Sequence, residues 1–187
     1  MASMKLRLTQ TERRLGLPWV IANIVGWVIG FFVCEAVNTF LATFFVDGLI
    51  IGASVGIAQW LVLRRRIAPI GWWVVASIVG YGVGKAVGEA SVQGIPTVAG
   101  LGLIGALIGA FVGIAQWLVL RRHVSLAGWW VLANIAAWAL GWSIIGFVED
   151  SAGWPILMVY SVGALGAAVA GTITGIALIW LSRPRLV

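Results

Sequence analysis

The chain has 187 residues, of which 61% are hydrophobic and 10% charged, with 25 glycines, 12 tryptophans, one cysteine and one histidine. A water-soluble domain of this size carries about a quarter charged residues, so this composition excludes a soluble globule and indicates an all-α integral membrane protein. A lone Cys34 forms no intramolecular disulfide, and a lone His123 with no second soft ligand makes no metal site of recognised spacing.

Residues 1–16 form a basic arm with Lys5, Arg7, Arg13 and Arg14. The apolar run that follows is longer than a signal-peptide core and shows no small-residue cleavage pattern, so it reads as a retained span. Six spans are expected, near 17–37, 41–63, 69–90, 98–120, 127–148 and 159–182. Each is about 20 residues, the length that crosses roughly 30 Å of hydrocarbon, and helix is the form that satisfies such a backbone in lipid. They make one membrane domain over 17–182, followed by a tail over 183–187.

The spans repeat. Gly56-Ile57-Ala58-Gln59-Trp60-Leu61-Val62-Leu63-Arg64-Arg65 recurs letter for letter from Gly113 to Arg122, fifty-seven positions on, with a weaker third copy from Gly175 to Trp180. A second segment recurs as Trp19-Val20-Ile21-Ala22-Asn23-Ile24, Trp72 to Ile78 and Trp129 to Ile135. The domain is thus read as three two-helix repeats, approximately 17–66, 67–123 and 124–183. An even number of spans per repeat keeps the copies in one orientation, which predicts a pseudo-threefold axis along the membrane normal.

Charge sorts the connecting segments. Eleven of the 12 basic residues fall in the arm, Arg64-Arg65-Arg66, Arg121-Arg122 and the tail. Glu35, Asp47, Glu89, Glu149 and Asp150 fall at the other end, with Lys85. Lys and Arg in short loops mark the cytoplasmic face, so both termini are expected there. The same basic clusters also suit docking of anionic lipid or a cytoplasmic partner. His123 reads as an interfacial residue.

Small residues recur every fourth position in the arginine-terminated helices: Gly48, Gly52 and Gly56, then Gly105, Gly109 and Gly113, then Ala167, Gly171 and Gly175. Lipid offers helices no hydrophobic reason to associate, so such rows predict close backbone packing. Gln59 and Gln116 continue these rows, while Asn23, Ser77 and Asn134 continue the small-residue rows of the other helices, at the same depth near the arginine end. They predict a buried layer of hydrogen-bonded amides and hydroxyls. The alternative is a polar constriction around a central path.

Glu35, Asp47, Glu89 and Glu149 lie near the outer edge; Lys85 stands four residues before Glu89 and can pair with it. Convergence of these carboxylates on the axis would make an acidic vestibule for cations. Glu35, however, lies nine positions from Gly26, half a turn away from its glycine row, and so can instead face headgroups or a partner. Trp19, Trp72, Trp73, Trp129 and Trp130 open spans at the interface and read as anchors. Trp27, Trp138 and Trp142 lie deeper and could offer stacking surfaces to a lipid, pigment or neighbouring subunit.

The Gly56–Arg65 decamer followed by Gly71-Trp72-Trp73-Val74, and its second copy followed by Gly128-Trp129-Trp130-Val131, resembles a repeat of uncharacterised bacterial multi-pass membrane proteins. The resemblance covers most of the chain and implies the bacterial inner membrane as location, with no activity attached. Mitochondrial carriers share a plan of three helix pairs, but their Pro-x-Asp/Glu-x-x-Lys/Arg motif is absent. No nucleophile with its base, no metal set and no phosphate loop is visible, so the expectation is a non-enzymatic membrane module without a cofactor or nucleic acid. Its expected partners are membrane lipids, other membrane subunits or a hydrophobic pigment. The alternative is a small ion or solute channel or transporter.

Overall fold

A computed structural model describes residues 10–38, 44–65, 70–124, 126–151 and 156–182. Residues 1–9 of the basic arm, Arg66, and the tail with Arg183 and Arg185 lie outside the described residues. The described chain is helical throughout: α1 (Gln10–Asn38), α2 (Phe44–Leu63), α3 (Trp72–Ser91), α4 (Thr97–Leu120), α5 (Trp129–Ser151) and α6 (Ile156–Leu181). The first helix begins before the expected span, so residues 10–16 of the basic arm are helical. Pro18 lies within that helix near its start, on an exposed face.

Five of the six, α1, α2, α4, α5 and α6, are long and apolar enough to cross a membrane, and the chain is a membrane protein. The third helix is not, which corrects the expectation of six such spans. Its 20 residues include four glycines, a serine in mid-helix, and Lys85 and Glu89, and these dilute the apolar content that its place in the repeat suggested.

Each helix packs on its neighbours in the chain and α6 packs on α1, so the six close into a ring. Among the described residues no other pair of helices brings Cα atoms within 8 Å of each other, and non-adjacent helices meet through side chains. Their alternation is visible in one cluster of buried side chains, where Trp19 of α1 and Trp73 and Trp130 from the starts of α3 and α5 meet Leu63, Leu120 and Leu178 from the ends of α2, α4 and α6. This is the arginine end of the ring. A second cluster, including Ile51, Val55, Tyr81, Ile104, Ile108, Ala137 and Ala170, fills the remainder.

The small-residue rows explain why the ring closes so tightly. A methyl group on Gly52 would lie 2.6 Å from the Ser77 carbonyl oxygen, and one on Gly48 2.7 Å from that of Tyr81. Gly105 and Gly109 press on the carbonyls of Trp138 and Asn134, and Gly171 lies against Asn23. The rows on α2, α4 and α6 thus face α3, α5 and α1. Those on α1 and α3 face forward, with Gly26 against Val55 and Gly80 against Val112, where a methyl group on either glycine would lie 2.6 Å from the neighbour's Cα. Contact at backbone distance is what small residues allow, and it supplies dispersion energy that lipid cannot.

The starts of α3 and α5 match in their backbone bonds. After each arginine pair a short turn starts the next helix, with Trp73 N–H donating to the Ile70 carbonyl and Trp130 N–H to that of Ala127, both at 3.0 Å. Between α3 and α4 the chain reverses through Gly94, whose φ of 78° belongs to the left-handed region that glycine enters without penalty.

Candidate functional site

The amide layer forms at the arginine end, and it is built around tryptophan. Asn23, Gln59, Ser77, Gln116 and Asn134 are all buried. So are Trp19, Trp73 and Trp130, each with no exposed surface. Their ring centroids lie 6.1 Å apart for Trp19 and Trp73, 5.9 Å for Trp19 and Trp130, and 5.7 Å for Trp73 and Trp130. Three helices of a ring of six can bring side chains this close only by pointing them inward, so the indoles occupy the ring's interior.

Each indole N–H is committed. Trp73 Nε1 donates to Gln59 Oε1 and Trp130 Nε1 to Gln116 Oε1, both at 3.0 Å; Trp19 Nε1 donates to Thr174 Oγ1, also at 3.0 Å. The glutamine amides in turn donate onward. Gln59 Nε2 reaches Asn23 Oδ1 at 3.0 Å, and Gln116 Nε2 reaches Ser77 Oγ at 2.9 Å and Gln59 Oε1 at 3.2 Å. Asn23, Ser77 and Asn134 close the layer by donating to the carbonyls of Trp19, Trp73 and Trp130, one turn earlier on their own helices. A tryptophan therefore orients a glutamine, which is held from behind by the helix that precedes it.

This arrangement changes the role expected for three of the tryptophans. Trp72 and Trp129 are exposed, at 72% and 56% of their surface, as interfacial residues would be, whereas Trp19, Trp73 and Trp130 are interior side chains. The signal was present in the spacing. Trp19, Trp73 and Trp130 each stand four residues before Asn23, Ser77 and Asn134, which puts them on the same helix face one turn away. Thr174 is also new. The position matching the glutamines in the third repeat is Leu178, buried and apolar, and Thr174, one turn earlier, receives the indole proton instead.

Among the described residues the acidic side chains form no comparable network. Glu35 is exposed. Glu89 accepts from Lys85 Nζ at 2.8 Å within α3, and that ammonium lies 5.2 Å from the centre of the Trp142 ring. Asp47 is half-buried at the start of α2, and its backbone carbonyl accepts a weak bond from Cys34 Sγ at 3.7 Å. The side chain of Glu149 lies outside the described residues. Among the described residues no three His, Cys, Asp or Glu side chains are grouped to hold a metal.

The deeper tryptophans spend their faces on the protein itself. Trp27 stacks on Phe31 at 5.3 Å and presses on Gly163, and Trp138 meets Tyr81 edge to face at 5.1 Å. Among the described residues two buried polar atoms near this level have no hydrogen-bond partner, the Tyr81 hydroxyl and Trp142 Nε1. At the arginine end, by contrast, Arg64 lies over Trp60 at 5.0 Å and Arg121 over Trp117 at 5.2 Å, equivalent pairs of the two decamers. No known protein family, curated protein or solved structure matches this chain.

Proposed function

We propose that the chain is a non-enzymatic module of the bacterial inner membrane, built as three two-helix repeats about a pseudo-threefold axis with both termini in the cytoplasm. It does not conduct. Its work is done by its outer surface, against lipid, pigment or protein partners.

The observation that carries this reading is the mutual contact of Trp19, Trp73 and Trp130, whose N–H groups are all engaged by Thr174, Gln59 and Gln116. A path for ions needs polar groups turned toward water and free to exchange partners. Here the inward polar groups bond one another, and three indoles stand where a path would pass. The pairing of Glu89 with Lys85 and the exposure of Glu35 likewise give the acidic-vestibule alternative little to work with. In the same reading the identical decamers supply the geometry twice, and Thr174 supplies it a third time from a different position.

The test is flux across vesicles reconstituted with the purified chain. Passage of potassium, chloride and small neutral solutes at the rate of protein-free vesicles is expected. A saturable or voltage-dependent flux proportional to protein content would instead establish the channel reading.

A further inference from the structure

We infer that the groove between α3 and α4 at the arginine end is a binding site for one anionic phospholipid. This names the partner of the outer surface in the reading above, and so rests on it. The groove encloses about 590 Å³, within the range of roughly 300–1,000 Å³ typical of sites that hold a small organic ligand. Its floor is aliphatic, from Val75 and Val79 on α3 and Ala115 and Leu118 on α4. Its rim carries Trp72, Arg122 and His123.

Depth and charge together select the occupant. Arg122 and His123 lie two and three residues past the end of α4, and Trp72 is the first residue of α3, so the rim stands where the membrane meets water. Val79 lies seven residues into α3, about 10 Å deeper, at the level of acyl chains. A ligand filling the groove therefore needs a chain below and a head above. The head must be anionic, because the lining contains a guanidinium and an imidazole and no acidic residue. The His123 ring is fixed by Nδ1, which lies 3.2 Å from the Val119 carbonyl. Phosphodiester oxygens suit the Arg122 fork, which binds such groups in two-point geometry.

The repeat supplies an internal comparison. Trp129 matches Trp72 fifty-seven positions on, and counted from Gly113 and Gly175 the residue matching Leu118 is Trp180. Trp180 meets Trp129 edge to face at 6.5 Å, so between α5 and α6 the protein's own indole occupies the equivalent space. Between α1 and α2 the matching residues are Pro18 and Leu61, beside Arg65, and no aromatic wall is present. Leucine at 118 leaves open, beside an exposed Trp72, a volume that another repeat fills.

The experiment is native mass spectrometry of the full-length chain released from detergent after incubation with equal amounts of phosphatidylglycerol and phosphatidylcholine of the same chains. One phosphatidylglycerol is expected to survive activation on each chain, at about tenfold the occupancy of phosphatidylcholine. Arg122→Gln combined with His123→Gln should lower that occupancy about tenfold, and Leu118→Trp, which fills the groove and keeps both Arg122 and His123, should do the same. Arg65→Gln, the same loss of charge at the matching site of the first repeat, should leave it unchanged. Equal retention of the two lipids, an equal loss in Arg65→Gln, or full retention in a folded Leu118→Trp would overturn the assignment. Vesicle flux with normal lipid retention would reject the non-conducting reading and leave the lipid site standing.

Discussion

Trp73 and Trp130 stand fifty-seven positions apart in the chain, yet their ring centroids are 5.7 Å apart inside the fold. Each donates its indole proton to a glutamine that stands fourteen residues earlier, across the turn that joins the two helices. The second tryptophan of each pair, the decamer glutamine and the arginines that end the helix thus form one structural unit. The arginines end the helix, the glycines bring the helices to backbone distance, and at that separation glutamine and indole meet.

Gln116 holds three side-chain partners: it accepts from Trp130 and donates to Ser77 and Gln59. Replacing it with leucine leaves the Trp130 N–H unpaired in a place water does not reach. A buried donor stranded in this way costs about 1–3 kcal/mol, and interhelical bonds in membranes fall at the lower part of that range. Gln116→Leu should therefore destabilise the protein by about 1–3 kcal/mol, measured by denaturant titration in micelles. Trp130→Phe in the same background should add less than it does alone, because the partner is already gone.

The third repeat supplies a test of its own. Leu178 occupies the glutamine position but is buried among apolar neighbours, and the Trp19 proton goes to Thr174. Thr174→Val keeps the shape and removes the acceptor, so a loss of about 1–3 kcal/mol is expected. Leu178→Gln restores the repeat motif in sequence, yet it should destabilise rather than rescue, since it buries an amide where a leucine side chain packs. Unfolding of the two single variants and the double variant checks both statements.

Much of this site was legible before the fold was known. Gln59, Gln116, Asn23, Ser77 and Asn134 lie on small-residue rows, and a row that packs on a neighbour must carry its polar members inside. Glu35, half a turn from Gly26, was equally legible as outward-facing, and it is exposed. Trp19, Trp73 and Trp130 were obscured by chemistry that pulls both ways, because a tryptophan at the start of a span satisfies an interface as readily as an interior. Helical angle separates them: Trp72 and Trp129, one residue earlier, turn about 100° away and are exposed. Thr174 was hidden for a different reason. In the third copy of the sequence motif the acceptor stands one turn before the glutamine position, so alignment leads to Leu178 and not to Thr174. The polarity of α3 was masked by the repeat itself, which marks it as a span by position although Lys85 and Glu89 leave it without a stretch apolar enough to cross.

Glycines at the helix seams and glycines in the turns should respond in opposite ways to the same substitution. A methyl group on Gly52 would meet the Ser77 carbonyl at 2.6 Å, and one on Gly80 would meet the Val112 Cα at 2.6 Å. Neither neighbour is a flexible side-chain end, so the helices must separate. Gly52→Ala and Gly80→Ala should each cost about 1–3 kcal/mol, the usual range for overpacking. Gly128→Ala meets nothing within 4 Å and should stay within about 0.5 kcal/mol of the parent. Thermal unfolding of the three variants in one detergent makes the comparison.

The closed interior is tested most directly by hydrogen exchange at the indole nitrogens, followed by NMR of the chain in lipid nanodiscs. The N–H groups of Trp19, Trp73 and Trp130 are buried and each bonded to a buried acceptor, whereas Trp72 and Trp129 are exposed. Protection of the three interior indoles over hours, with Trp72 and Trp129 exchanging within the dead time, is the result this account predicts. Exchange of Trp19, Trp73 and Trp130 as fast as Trp72, in a folded protein, would place water among the three rings and contradict it.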